Sequence, residues 1–240
     1  MVDDEISVLE AATAGLTVEP RGKRWTHLPL CVLDAVFSIN LRYRGVVRVC
    51  EAYATHAGLP DPLLPADRAH EVVGTDRERP VETLVEIGRA AGADDLARLV
   101  LRNRGRTSTR GGVRKAEAAL RYAETLAAEG VHRFADVSAL LADPVRLAQV
   151  ETKLQLVPGH GAGVRLSYLW MLTGAEDRVK PDRMVLRWLA RHLDRVVGAT
   201  EATALLVALG ERTGHSAREL DHAVWQHESS RSRAPRTPTR

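Results

Sequence analysis

A glycine-rich turn lies in the second half of the chain, directly before a run of apolar residues. Residues 157–163 read Val-Pro-Gly-His-Gly-Ala-Gly, and the apolar run 164–172 follows at once. Glycine reaches positive φ and allows a close approach of the backbone, and the first turn of a helix carries amides without intrahelical partners. The turn is therefore predicted to offer N–H groups to an anion such as phosphate.

An acidic residue follows this turn at the start of another apolar-periodic segment. Asp182 precedes residues 184–197, whose apolar positions recur at helical spacing and include Trp188 as a core residue. Asp182 is thus predicted to be a helix N-cap, where unpaired amides and the helix dipole favour an ionised carboxylate at neutral pH. Capping alone explains an Asp at such a position, so a chemical role needs a second argument.

A basic segment, Arg98–Lys115, precedes both of these features. It contains seven basic residues and no acid, and its central glycines and hydroxyl residues predict a loop. Such a loop can follow a phosphate backbone closely, although a charge cluster is also compatible with a plain solvated face. The residues expected to contact phosphate are Arg104, Arg106, Arg110 and Lys115.

Two motifs together resemble the HhH-GPD superfamily of DNA glycosylases, the endonuclease III-like base-excision enzymes. The family hairpin L-P-G-x-G-x-x-T-A is similar to VPGHGAGVR here, and its V-D-T-H-V-x-R motif, about twenty residues on, is similar to KPDRMVLR. The resemblance places Asp182 on the catalytic aspartate and Arg187 on the trailing arginine. Arg183 and Met184 depart from the pattern, because the family has Thr and His there.

The resemblance also implies roles for the hairpin. Its residues Gly159, His160, Gly161 and Gly163 are expected to bind DNA, and a monovalent cation at the hairpin carbonyls is typical of the family. Members that also cut the DNA strand carry Lys at the position of Gly163. Forming the Schiff base of that reaction requires an amine, so the resemblance implies a monofunctional glycosylase without AP-lyase activity.

A third segment is compared with the family motif L-L-S-x-Q-x-T-D, whose Gln enters the space left by a flipped nucleotide. The chain reads Val-Phe-Ser-Ile-Asn-Leu-Arg-Tyr over residues 36–43, which puts Asn40 at the Gln position. Asn40 is also compatible with a simple cap or turn. Tyr43 is expected either to stack on a base or to pack against the protein.

Composition narrows the class of protein. The hydrophobic content of 45% supports a buried core, and the 4% aromatic content with abundant Ala, Leu, Arg and Glu favours helices. No apolar run has membrane-spanning length and the N-terminus lacks signal-peptide features, so a cytoplasmic protein that contacts no membrane is expected. The two cysteines, Cys31 and Cys50, are too few for a four-cysteine iron–sulfur cluster, and the nine histidines lack metal-site spacing.

Charge alone says little about nucleic acid. The net charge is +3, but residues 229–240 hold four arginines and no acid, so the rest of the chain has a net charge of −1. Only local clusters, such as the basic segment, bear on DNA as the partner.

Apolar periodicity and turn residues predict an all-α fold with a structureless stretch over 58–80 and a basic loop over 20–25. Helices are expected over 3–15, 30–57 with a break near 38–44, 81–101 with a break around 91–93, 115–130, 132–148 with a break at Asp143-Pro144, 164–172, 184–197, 202–209 and 217–227.

The resemblance implies two helical lobes in a monomer. A six-helix-barrel-type lobe with the helix-hairpin-helix motif is expected over residues 31–181, and a second lobe over residues 1–30 and 182–228. Residues 229–240 are predicted to be a disordered basic tail because they contain almost no apolar side chains. The alternatives are a helix-hairpin-helix DNA-binding protein without catalysis, and a helical protein that uses the glycine turn only for packing.

Overall fold

The computed structural model describes residues 2–20, 22–38, 41–158 and 163–231. These residues are mostly helical, which confirms the all-α class. The elements are α1 (Val2–Thr13), β1 (Lys23–Trp25), α2 (Leu28–Phe37), α3 (Tyr43–His56), β2 (Leu63–Pro65), α4 (Glu82–Asp95), α5 (Lys115–Ala128), α6 (Phe134–Leu141), α7 (Pro144–Gln155), α8 (Val164–Thr173), α9 (Arg183–Leu193), α10 (Ala199–Thr213) and α11 (Ala217–Arg231).

The chain divides into two compact units. The central unit is Gly22–Thr173, and the terminal unit combines Met1–Arg21 with Gly174–Arg240. Each boundary lies N-terminal to the one predicted for the two lobes. No described helix is both long and apolar enough to span a bilayer.

Helix α2 is the core of the central unit. All ten of its residues are buried, because the sequence LPLCVLDAVF is apolar on every face, and it packs against α3, α5 and α8. Its one charged residue, Asp34, accepts hydrogen bonds from the Trp25 indole at 2.8 Å and the Tyr168 hydroxyl at 3.1 Å. Cys31 and Cys50 are buried free thiols.

A two-stranded antiparallel ribbon departs from the sequence prediction. Strand β1 forms within the predicted basic loop 20–25, and β2 within the predicted structureless stretch 58–80. Trp25 is 1% exposed and Leu64 is buried, so the ribbon contributes apolar side chains to the core. The second segment contains prolines, which lack a backbone N–H donor. A strand can still form there because the ribbon has only two strands and each of them is an edge strand. A 3₁₀ segment, Ala66–Glu71, follows β2.

The predicted helix breaks of the central unit are confirmed. The chain between α2 and α3 is not helical at Leu41 and Arg42, and Asp143 caps α7 where the Asp-Pro pair was expected to interrupt a helix. Gly92 has φ +74° inside α4 and kinks it within the predicted break, before a π-helical turn over Leu96–Val100.

The terminal unit has its own core. Ile6 and Leu9 of α1 pack with apolar residues of α9, α10 and α11, among them Trp188, which is 1% exposed and was predicted to be core. Helix α9 ends at Leu193, earlier than predicted, because Asp194 adopts a left-handed conformation with φ +51°.

The C-terminal helix is longer than expected. Helix α11 continues to Arg231, so residues 229–231 are helical and the predicted disordered tail is corrected at its start. Ser230 takes part in the helix by donating its hydroxyl to the His227 carbonyl at 2.7 Å. The rest of the predicted tail, residues 232–240, lies outside the described residues.

Candidate functional site

Asp182 is the N-cap of α9, as predicted. Its backbone is extended, and Oδ1 accepts hydrogen bonds from the amides of Met184 at 2.7 Å and Val185 at 3.4 Å. No described residue donates to Oδ2, and the side chain is partly exposed. One oxygen is therefore fixed by the helix and the other remains able to meet a ligand.

A second carboxyl group lies near Asp182 within the terminal unit. Asp221 of α11 is 4% exposed, and its Oδ1 accepts a hydrogen bond from the Lys180 amide at 2.9 Å. Burial, and then the negative charge of Asp182, raise the pKa of Asp221 to about 8, against the opposing effect of Lys180. Burial therefore favours the neutral form of the Asp221 carboxyl group at neutral pH.

The sequence alone does not identify Asp221 as a candidate residue or relate it to Asp182. The two acids are far apart in sequence and lie on different helices, so no local spacing connects them. One signal was present: Asp221 lies between Leu220 and Val224 on the apolar face of α11. A lone acid on such a face indicates a buried carboxyl group with an unusual environment.

Of the predicted hairpin residues, the structure describes only Gly163. Gly159, His160 and Gly161 lie outside the described residues. Gly163 has φ +86°, and its carbonyl accepts from the Ser167 amide at 3.0 Å as α8 begins. A Cβ at this position would meet nothing within 4 Å, so the positive φ explains the glycine and close packing does not.

The predicted wedge segment is described in part. Asn40 lies outside the described residues. Tyr43 is the first residue of α3 and is 47% exposed, which places its ring at the surface. Its stacking on a base stays a prediction.

The basic segment forms the predicted loop, and its two ends are held together by backbone hydrogen bonds. The Thr107 amide donates to the Val113 carbonyl at 2.9 Å, and the Lys115 amide donates to the Gly105 carbonyl at 2.8 Å. The loop is therefore closed at its base and held against the start of α5.

The arginines of the basic segment fall into two groups. Arg98 pairs with Asp95 at 3.0 Å, and Arg114 pairs with Asp94. The others are exposed and form no ion pair with a described residue, although Arg106 also donates to the Gly112 carbonyl at 2.7 Å. This second group, Arg102, Arg104, Arg106 and Arg110, includes the three arginines predicted to contact phosphate.

Lys115 differs from these arginines because it is buried. Its side chain is 4% exposed, and Nζ donates to the Phe37 carbonyl at 3.1 Å and lies 5.9 Å from the Phe37 ring centroid. Burial, and then the positive charge of Arg165, lower the pKa of the Lys115 ammonium to about 8. The described structure therefore places Lys115 inside the central unit, and its contact with phosphate stays a prediction.

Within the described ranges, no group of three or more His, Cys, Asp or Glu side chains is arranged to hold a metal ion. The chemical features that the structure does bring together are the Asp182 and Asp221 carboxyl groups in the terminal unit, and an exposed arginine loop in the central unit.

Comparison with known proteins identifies one family. A family model described as "Domain of unknown function (DUF8548)" matches residues 6–229, nearly the whole chain. No curated protein and no solved structure matches the chain.

Proposed function

The chain belongs to the family described as Domain of unknown function (DUF8548), and we propose that it is a monofunctional DNA glycosylase. Its reaction is hydrolysis of the N-glycosidic bond of a damaged or mispaired base, the first step of base-excision repair. The alternative is a helix-hairpin-helix protein that binds DNA without catalysis.

The environment of Asp182 is the observation that carries the proposal. As the base departs, positive charge develops on the sugar, and a fixed carboxylate can stabilise that charge or activate the water that attacks it. Asp182 meets this need because the α9 amides hold Oδ1 while Oδ2 has no donor among the described residues. The raised pKa of Asp221 favours the neutral form of that nearby carboxyl group.

Two further features support a glycosylase over other hydrolases of glycosidic bonds. The order of glycine turn, helix α8 and capped Asp182 follows the order of the HhH-GPD motifs. A contiguous central unit, joined to a unit built from both chain ends, also follows the organisation that the resemblance implies.

The exposed arginines of the basic segment supply the DNA contact in this proposal. Phosphate contacts position a duplex without reading its sequence, which suits an enzyme that must inspect many sites. The target base must then leave the stack, at a cost of a few kcal/mol that is smallest for damaged or mispaired bases. Gly163 provides no amine, so the product is an abasic site in an uncut strand.

The proposal is tested by base release from labelled oligonucleotides that carry uracil, hypoxanthine, alkylated purines, 8-oxoguanine or a mismatch. Asp182→Asn keeps an N-cap side chain of equal quality, so we expect an unchanged midpoint of thermal unfolding. Loss of the fixed negative charge should lower the rate of base release by about 10²-fold or more.

A matched control comes from the other unit. Asp143 caps α7 with the same pattern of hydrogen bonds, accepting from the amides of Val145 and Arg146. Asp143→Asn should leave base release unchanged. Strand cleavage that appears only after alkali, persists in Asp143→Asn and disappears in Asp182→Asn supports the glycosylase. Absence of base release by the wild type on every substrate, with equal DNA binding in both proteins, favours the non-catalytic alternative.

A further inference from the structure

Arg165, in the first turn of α8, is buried without a hydrogen-bond partner. Its side chain is 1% exposed, and Nε, Nη1 and Nη2 all lack a partner. The guanidinium carbon lies 5.2 Å from the Tyr122 ring centroid, so the ring covers one face of the cation. That contact uses none of the five N–H donors of the side chain.

A second cation and a hydroxyl group lie beside it. Lys115 is buried at the start of α5, and the charge of Arg165 acts on its ammonium. The Tyr122 hydroxyl, two turns further along the same face of α5, is also buried without a hydrogen-bond partner. The three side chains form a cluster of donors inside the central unit, which we call the cationic cluster.

Arg165 has no carboxylate among the described residues to balance its charge. No described Asp or Glu forms an ion pair with Arg165, and burial lowers the pKa of its guanidinium with only the Tyr122 phenol opposing that effect. The residues that the structure leaves undescribed contain no Asp or Glu in their sequence. Burying an uncompensated charge costs several kcal/mol, so an apolar residue would be favoured here unless the charge has a ligand.

The position of Arg165 in the sequence also bears on why this residue is an arginine. Arg165 stands where the hairpin pattern L-P-G-x-G-x-x-T-A has its final alanine. The packing of α8 in that pattern therefore requires no long side chain at this position, and the cationic cluster is a feature of this chain's own sequence.

We propose that the cationic cluster of Arg165, Lys115 and Tyr122 binds a small oxyanion of the phosphate class. The planar guanidinium presents paired N–H groups that match two oxygens of a phosphate, and the ammonium and phenol add further donors. The first turn of α8, where Arg165 lies, also carries the positive end of a ten-residue helix dipole. The phosphate group comes either from a free ion or from a DNA backbone, and the same donors recognise both.

The proposal does not rest on glycosylase activity, because binding is measured on the protein without a damaged base. Thermal unfolding of the full chain is followed in increasing sodium phosphate, with sodium chloride at matched ionic strength as reference. At a phosphate concentration about ten times Kd, the wild-type midpoint should rise by about 3–6 °C above the chloride reference.

Two variants show where the anion binds. Arg165→Met fills the same space without charge, so it should unfold at or above the wild-type midpoint in chloride and show no rise in phosphate. Arg121→Met changes an exposed arginine on the same helix as Tyr122, paired with Glu117, and should respond to phosphate as the wild type does. If Arg165→Met does not fold, Arg165→Lys keeps the charge and should weaken phosphate binding about tenfold, because the paired donors are lost.

The source of the phosphate is identified with a fluorescent oligonucleotide of undamaged DNA. Displacement of the oligonucleotide by phosphate beyond the effect of chloride, in the wild type and not in Arg165→Met, identifies a backbone phosphate as the ligand. A rise in the midpoint without such displacement identifies the free ion. The proposal is overturned if phosphate does not stabilise the wild type more than chloride, or stabilises Arg165→Met equally.

Discussion

Asp182 and Asp221 have the same side chain but opposite surroundings, and this difference assigns their roles. The first is partly exposed and receives two helix amides, and the second is buried and lies near the charge of the first. When the environments of two neighbouring carboxyl groups give them different pKa values, one group can act as an acid and the other as a base. We therefore expect Asp221 to be the neutral acid of the pair at pH 7.

Asp221 should make the stability of the terminal unit depend on pH. Its pKa is about 8 in the folded chain, above the usual value of 3.8, so the folded state binds more protons than the unfolded state between these values. Stability should therefore fall as pH rises from about 4 to about 8, by roughly 5 kcal/mol at most. Asp221→Asn still accepts from the Lys180 amide and should remove this fall, which urea unfolding at a series of pH values measures.

A control of opposite sign is available on the same helix. Burial alone would raise the pKa of Glu228, but the hydrogen bond and charge of Arg191 together lower it. The ionised Glu228 side chain therefore adds to the free energy of unfolding above its unfolded-state pKa, and this stabilisation is lost as the pH falls. Glu228→Gln should reduce the free energy of unfolding at pH 7. Parallel pH profiles for the wild type and Asp221→Asn would contradict the assignment of Asp221.

At the scale of single residues, the sequence predicts what is local. The cap at Asp182 and the core position of Trp188 depend on a few neighbouring residues, and both are confirmed. The environment of Asp221 and the burial of Lys115 depend on contacts with other helices. Such contacts cannot be read from one sequence without its fold. The buried guanidinium of Arg165 is of the same kind, because its apolar neighbours in sequence indicate only that α8 is a core helix.

Among the elements, the loop of the basic segment depends on two adjacent glycines. A Cβ on Gly112 would lie 2.3 Å from the Ser108 amide nitrogen, which is backbone and cannot rotate away. Gly111 beside it has φ +69°. These two residues shape the tip of the loop that carries Arg110, so the arrangement of its arginines is a property of the backbone as well as of the charges.

The salt dependence of DNA binding tests which arginines of this loop contact phosphate. Arg104→Gln and Arg110→Gln each remove one exposed cation that has no ion pair among the described residues, and each should lower the slope of log affinity against log salt by about 0.9. Arg98→Gln is the matched control, since Arg98 belongs to the same segment but pairs with Asp95. Fluorescence anisotropy with a duplex oligonucleotide at several salt concentrations gives the slopes. Slopes equal to that of the wild type in both Arg104→Gln and Arg110→Gln would exclude these two arginines from the interface.

Helices and their breaks could be predicted from the sequence, but the ribbon could not. Glycine at 92 and the Asp-Pro pair at 143 act on the backbone locally, and the breaks appear where they lie. The strands β1 and β2 have three residues each and are about forty residues apart. A strand of three residues is too short to show the alternation of polar and apolar residues that predicts a strand. The burial of Trp25 and Leu64 decides the pairing of the two strands.

Over the whole molecule, the two units differ in how the chain builds them. The central unit is one continuous segment, whereas the terminal unit needs both ends of the chain. Helix α1 contributes two buried side chains, Ile6 and Leu9, to the core of the terminal unit. Its acids Asp3 and Glu5 form ion pairs with Arg212 and Arg195, respectively. The surface pairs contribute little, so burial of the apolar side chains must hold α1 in place.

Leu9→Ala should therefore destabilise one unit and spare the other. Leu9 is fully buried in the core that contains Trp188, and its truncation should cost about 2–5 kcal/mol. Hydrogen exchange read by mass spectrometry should show faster exchange in α1 and α9–α11 and unchanged exchange in α2–α8, because each unit has its own core. Val8→Ala is the control, since Val8 is the neighbouring residue and is 46% exposed. Equal acceleration in both units would contradict this expectation and would mean that the chain unfolds as a single cooperative body.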